Sequence, residues 1–187
     1  MQGGILPFSL EEPAPFPMLK NIVTTVIRKD ISSLGRITLD ETDKIEKMLS
    51  FIGASEIDGI NYTSLSKNIG ITKYKAKQYV DYLEKAFILH KILPTGTSVL
   101  QEPKILMSIP YRLLYADYQK SLGGLREDFF VEMMRMVDMY LYYLKSTRGA
   151  KTPDYLVSFD NDKTTIEIGG KGKSREQFKG IEIRKNM

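Results

Sequence analysis

Cysteine and tryptophan are missing from this 187-residue chain, and histidine occurs once, as His90. Without cysteine there can be no disulfide and no thiolate metal site, a composition that suits a reducing compartment. A single histidine cannot build a His-rich zinc site within one chain. Coming after the apolar AFIL, it reads as a surface or wing residue. No apolar run reaches the roughly 20 residues needed to span a bilayer. The opening MQGGILPFSLEEPAPFPM has no cationic start and carries two glutamates, unlike a secretory signal. The expected setting is the cytoplasm, away from membranes. Neither sign of charge predominates, with 27 Lys and Arg against 23 Asp and Glu: the net +4 permits a nucleic-acid partner without demanding one.

The chain is long enough for one large domain or two small ones, and its 11 tyrosines and 8 phenylalanines can fill a core. Four of the eight prolines fall within residues 1–18, which read as an extended arm. MLKNIVTTVIRKDI (18–31) then has helical spacing, with Leu19, Ile22, Val23, Val26 and Ile27 on one face. Such a stripe needs a partner, either the next domain or something outside this chain.

From Leu39 the pattern changes. DETDKIEKMLSFIGASE places Ile45, Met48, Leu49 and Ile52 on one helix face, with Asp40 or Thr42 as its cap. TSLSKNIG is a short second helix capped by Thr63 and closed by Gly70. A third begins at Thr72, with Ala76, Tyr79, Val80 and Leu83 inward. Two helices joined by a tight glycine-containing turn form a helix-turn-helix. FILHKIL (87–93) and KILMSIP (104–110) follow as the two strands of a wing. The exposed start of the third helix carries Lys73, Lys75, Lys77 and Gln78. The lysines suit phosphates of double-stranded DNA, and Gln78 or Tyr74 suits a base edge. The same face also suits plain solvation or protein contact, and Asp81 and Glu84 one turn later dilute its charge.

A third block starts near Gly123-Gly124. LREDFFVEMMRMVDM reads as a helix with Leu125, Phe129, Met133 and Val137 inward. Strands YLYYLKS (140–146), PDYLVSF (153–159) and TTIEIGG (164–170) follow, then a short helix in KSREQFKG and a last strand in IEIRKNM. The order is α-β-β-β-α-β, and the fold class is α+β. Asp154 opens one strand after a proline, Glu167 lies within the next, and Glu127 sits in the first turn of the helix. Converging carboxylates bind Mg²⁺, which takes oxygen ligands and activates water. These three are the metal candidates; salt bridges on a half-exposed sheet are the plainer use for them. GGKGKS is not a phosphate loop, because it lacks the G-x-x-x-x-G-K spacing followed by Ser or Thr.

The Pro153-Asp154 and Glu167 pattern resembles the PD-(D/E)xK nucleases, which have this core. That resemblance implies Asp154 and Glu167 as catalytic carboxylates. It also demands a lysine two residues after the glutamate, where this chain has Gly169; the nearest is Lys171, with Gln177 as a further polar position. A glycine there is what an abandoned site would hold. A second resemblance covers most of the chain. INYTSLSKNIGITKYKAKQYVDYLEKAFIL, LREDFFVEMMR, YYLKSTRGAKTPDYLV and IEIGGKGKSREQFKG look like the C-terminal half of predicted AAA-type ATPases of bacteria and archaea. There an ATPase domain precedes a winged helix and a restriction-endonuclease-like domain. The resemblance implies a junction arm and linker helix at 1–38, a winged helix at 39–120 and a nuclease-like domain at 121–187, cut short. Walker motifs are absent, so ATP would be bound only by an ATPase domain outside this chain. The implied function is a non-catalytic DNA-associated module, or alternatively an interaction module that docks an ATPase or another protein through the 18–31 helix; the third alternative is an active Mg²⁺-dependent DNA nuclease using Asp154, Glu167 and Lys171.

Overall fold

The computed structural model describes residues 14–35, 37–55, 59–96, 102–145, 152–159 and 162–169. Helix α1, Pro15–Thr25, starts on a proline, whose missing N–H costs nothing in a first turn. It runs on as a π-helical turn, Val26–Ile31, into the short α2, Ser32–Gly35. Leu19, Val23, Ile27 and Ile31 recur every four residues, and all are buried. In an α-helix that step overshoots a full turn by about 40°, and the wider π turn brings the last two back into line. The stripe packs on α3, Leu39–Ala54, and on a 3₁₀ turn at Tyr111–Leu114. Its partner therefore lies within the chain, which corrects the expectation that 18–31 offers these residues to an ATPase domain or another protein.

Thr38, not Asp40 or Thr42, caps α3, and it forms a reciprocal capping box with Glu41. Asn61 caps α4, Tyr62–Ile69, in the same way with Ser64, in place of Thr63. Gly70 closes α4 in a left-handed conformation as expected, and Thr72 caps α5, Lys73–Lys85. Strands β1, Leu89–Pro94, and β2, Lys104–Met107, pair antiparallel to form the wing.

Helix α6 spans Tyr118–Met136, so the Gly123-Gly124 pair lies inside it and not at its start. Its buried residues are Ser121, Asp128 and Val131, whereas Phe129 and Val137 of the expected inward stripe are over half exposed. Strands β3, Tyr140–Tyr143, β4, Tyr155–Phe159, and β5, Asp162–Ile166, complete a five-stranded sheet in the order β2-β1-β3-β4-β5. This is an α+β arrangement. The expected helix at 173–180 and the strand after it lie outside the described residues. Among the described residues no helix is long and apolar enough to cross a membrane.

The sheet is continuous because β1 pairs parallel with β3, Leu93 opposite Tyr142. Two cores lie on its two faces. Leu89, Ile105 and Met107 point into the helical core with Ile45, Leu49, Leu65 and Leu83. Ile92 and Leu106 point the other way, to Val131 of α6 and Tyr155 of β4. Every residue of β2 is consequently buried, Lys104 included.

One ion pair ties the two halves. Arg112 in the 3₁₀ turn donates from Nε to Asp128 Oδ2 at 2.5 Å and from Nη2 to Oδ1 at 3.0 Å. Its Nη1 reaches the Ile52 carbonyl at the end of α3 at 3.2 Å. Asp128 also accepts the Met107 N–H at 3.1 Å. Gly124 is required here, since a Cβ would sit 2.8 Å from Arg112 Cζ.

Helices α5 and α6 end alike. Ile88 N–H bonds the Leu83 carbonyl and Phe87 N–H the Glu84 carbonyl; Met139 and Asp138 repeat this on Met134 and Arg135. These are Schellman closures, but the left-handed position holds Phe87 (φ 58°) and Asp138 (φ 53°) where glycine is usual.

Two outcomes follow for denaturant unfolding. Phe87 is 80% exposed, so Phe87→Gly gives up little packing and relieves a left-handed conformation worth roughly 1–2 kcal/mol in an L-residue; a stability gain of about 1 kcal/mol is expected. Arg112→Met strands the buried Asp128 carboxylate and is expected to lose roughly 3–5 kcal/mol.

Candidate nucleic-acid interface and adjoining clefts

The second helix of the helix-turn-helix is α5, and its inward face, Ala76, Tyr79, Val80 and Leu83, is the expected one. This burial turns Lys73, Tyr74 and Lys77 outward, with Tyr74 74% exposed, and leaves Lys75 and Gln78 half-buried. Tyr74 and Lys77 make no hydrogen bond or ion pair among the described residues. The other three are engaged. Lys73 pairs with Glu102, which also accepts the Thr63 hydroxyl at 2.8 Å. Lys75 Nζ donates to Glu41 Oε1 at 2.5 Å, where the Tyr79 hydroxyl arrives at 3.0 Å. Gln78 Nε2 donates to Tyr82 at 3.1 Å. Asp81 and Glu84 are drawn off the exposed face by Lys91 of β1, at 2.5 and 2.9 Å, so they detract less from its charge than the sequence implied.

Glu41 also accepts the Thr38 N–H at 3.0 Å. The Lys75 ammonium, and then the Thr38 N–H, hold its carboxyl at about 2, below the ordinary 4.5. Burial pushes the Glu102 carboxyl up, but Lys73 and the Thr63 hydroxyl outweigh it and leave the group below its ordinary value.

The expected carboxylates lie at the far end of the sheet. The β4–β5 register, Tyr155 opposite Ile166, continues to put Asp154 across from Glu167. Strand β5 stops at Ile166, so Glu167 follows the strand and is not within it. Asp154 Oδ2 accepts the Ile168 N–H at 2.7 Å. Glu127 lies in the third turn of α6, not the first, and receives the Lys104 ammonium at 2.9 Å. Glu127 and Asp154 share a cleft of about 410 Å³ between β2 and the N-terminal half of α6; Glu167 is not among its walls. Among the described residues no three His, Asp or Glu side chains are grouped to hold a metal ion. Lys171 and Gln177 lie outside the described residues.

Sequence reasoning missed Lys104. It is 6% exposed, pairs with Glu127, and lies 5.1 Å from the centre of the Tyr155 ring. It also lines a second cleft of about 440 Å³, which shares Gly59 and Asp154 with the first and reaches Glu102. A lysine opening an apolar strand is ordinary, and only the strand's two-sided burial makes it unusual. His90 is on the wing as expected but buried, not on the surface. Its Nε2 lies 2.9 Å from Glu132 Oε2 and 3.1 Å from Ser108 Oγ, fastening β1 to α6.

The architecture is thus a winged helix whose wing is extended into a larger sheet. Residues 9–110 match the model of a family described as Domain of unknown function (DUF8612), and the chain belongs to that family. A curated relative, the uncharacterized protein MJ1637 of Methanocaldococcus jannaschii, is 26% identical over 96% of this chain. The chain spans 41% of that relative's length. Among solved structures, the Staphylococcus aureus MepR–DNA complex is 12% identical, covering 71% of this chain and 97% of that one, with a TM-score of 0.35. The multiple antibiotic-resistance repressor MarR of Listeria monocytogenes is 20% identical, covering 66% and 75%, with a TM-score of 0.30. Such scores are too low to equate folds, and the winged helix rests on its own elements. None of these descriptions names an ATPase or a nuclease.

The Glu41 geometry has a pH signature. A depressed folded-state pKa contributes stability that is present above the unfolded value and lost as pH falls through the folded one. Glu41→Gln is therefore expected to lower Tm at neutral pH, with the difference from the parent chain shrinking between pH 4.5 and about 2. Thermal melts across that range check it.

Proposed function

We propose that this chain is a DNA-associated module that meets a duplex with the N-terminal half of α5. The observation that carries the reading is the outward set Lys73, Tyr74 and Lys77 on the second helix of a helix-turn-helix, opposite a fully buried face. Lys77 reaches a phosphate directly. Lys73 is itself over half exposed and can turn from Glu102 to a phosphate, while the Thr63 hydroxyl continues to hold the carboxylate. Lys75, held by Glu41 and Tyr79, serves α5 more than it serves DNA, and Tyr74 or Gln78 faces the bases. The remaining sheet is read as a degenerate nuclease-like domain, supported by Gly169 in the lysine position and by the resemblance of residues 125–180. Work alongside an ATPase rests on that resemblance alone.

A second reading, a protein-docking or regulatory module, is favoured by the neutralisation of Lys73 and Lys75 by Glu102 and Glu41. Anisotropy titration of a labelled duplex separates the two. Two phosphate contacts give a log–log salt slope of about −2, and the Lys73→Ala/Lys77→Ala double variant weakens binding severalfold. Unchanged affinity in that variant rejects the α5 interface. No binding at about 0.1 M salt favours the docking module.

A further inference from the structure

The glycine pair in α6 presents two different situations. Gly124 is explained by the Arg112 guanidinium beneath it. Gly123 has no such reason: a Cβ there would meet nothing within 4 Å. Glycine inside a helix is unfavourable relative to alanine, so packing and propensity together argue against it. Gly123 stands on the wall of the 410 Å³ cleft, where a bare backbone admits a close approach from a ligand. Beside it, Ser121 is 6% exposed and its hydroxyl has no hydrogen-bond partner among the described residues. A buried hydroxyl of that kind needs a partner from elsewhere.

The charges on the same wall indicate the partner. Lys104 and Arg112 are held by Glu127 and Asp128. Lys120 and Arg126, both exposed, make no ion pair or hydrogen bond among the described residues, while Asp154 is bonded by the Ile168 N–H. Two cations and a bare stretch of helix backbone therefore face one opening, and the unpartnered Ser121 hydroxyl lies buried in the same wall, one rotamer from it. An ammonium and a guanidinium fork beside a hydroxyl suit a phosphate oxygen set.

We infer that the cleft between β2 and α6 binds a phosphate group, with Lys120 and Arg126 as its charge partners, Ser121 as hydrogen-bond donor and Gly123 as the clearance. The phosphate belongs either to a polynucleotide strand or to a free phosphate or mononucleotide. The strand has structural support: the adjoining cleft carries the exposed Lys145 and runs to Glu102, the residue that holds Lys73 of α5. A backbone touching α5 has a route past Lys145 to Lys120 and Arg126. The site itself does not require α5, and its failure is separable from failure of the α5 interface.

The test uses the full chain and two variants, Gly123→Ala and Lys120→Ala/Arg126→Ala, with inorganic phosphate, AMP and a labelled duplex as probes at fixed ionic strength. Gly123→Ala is expected to raise Tm and yet weaken probe binding severalfold, an opposition that a purely structural glycine cannot produce. The double variant is expected to weaken duplex binding about tenfold and to cut the log–log salt slope by about two. Thermal stabilisation by phosphate or AMP, lost in both variants, assigns the site to a small ligand. Binding of the duplex alone, with the same losses, assigns it to a strand. The proposal is overturned if no probe binds, or if both variants bind every probe as the parent chain does. Loss of duplex binding in Lys73→Ala/Lys77→Ala with phosphate binding intact would separate the α5 interface from this cleft.

Discussion

The Arg112–Asp128 pair is the constraint from which the rest of the arrangement follows. A guanidinium and a carboxylate this deeply buried are tolerated only when their remaining donors and acceptors are satisfied. Here two further elements, α3 and β2, satisfy them, so that four elements meet at the pair. The α3 carbonyl at Ile52, the 3₁₀ turn, the Met107 N–H of β2 and α6 converge on one fork of hydrogen bonds. Gly124 exists because that fork needs its space. Burial pushes the Asp128 carboxyl up, against the pull of the guanidinium and the Met107 N–H, and the mutual satisfaction of the pair keeps it in place. The pair supplies a single angle between α6 and the helical core, something apolar contacts alone specify poorly.

That angle has consequences for the sheet. With α6 fixed, its Schellman turn at Asp138 delivers β3 alongside β1, which the matching turn at Phe87 has delivered from α5. Two helices ending the same way feed two parallel strands, and the wing becomes the first hairpin of a five-stranded sheet. Because β2 and the start of β1 are packed on both faces, a polar residue there must find a partner inside. Lys104 finds Glu127, and His90 finds Glu132, both on α6. Burial alone would raise the Glu132 carboxyl; His90 and the Ile109 N–H reverse it and hold the group below its ordinary value. The wing is therefore anchored by α6 and does not project as an isolated hairpin.

What could be read from residue order was local. The α5 face Ala76, Tyr79, Val80 and Leu83 was legible because helical periodicity needs no knowledge of the partner. The α3 cap was legible too but misassigned: Thr38-x-x-Glu41 is a capping-box signature that lies one turn ahead of the residues chosen. The α6 face misled because its apolar stripe, Phe129 and Val137 among it, competes with a buried aspartate that hydrophobicity cannot rank. Arg112 and Asp128, Lys104 and Glu127, His90 and Glu132 are separated by 16 to 42 residues. No sequence pattern links such pairs, since each arises from strands and helices meeting at an angle that Arg112 sets. Of the candidate carboxylates, the alignment of Asp154 with Glu167 was readable from hairpin pairing, while the engagement of Glu127 by a buried lysine was not.

The same acids that stabilise the fold govern how much charge it can present. Glu41 completes the Thr38 capping box of α3 and binds Lys75; Glu102 pins Thr63 of α4 and binds Lys73. Each carboxylate therefore fixes the geometry of the helix-turn-helix and withdraws a cation from its outer face. A strongly basic α5 with no such acids would have more charge to offer DNA and a less defined start. This chain has settled on the opposite balance, keeping Lys77 and Tyr74 outward on a helix whose first turn is held on two sides. If α5 meets a duplex as proposed, it offers little charge by itself, and tight binding would require phosphate contacts elsewhere on the surface. Under the proposed reading, Lys120 and Arg126 of the β2–α6 cleft, which adjoins the cleft holding Glu102, would add such contacts.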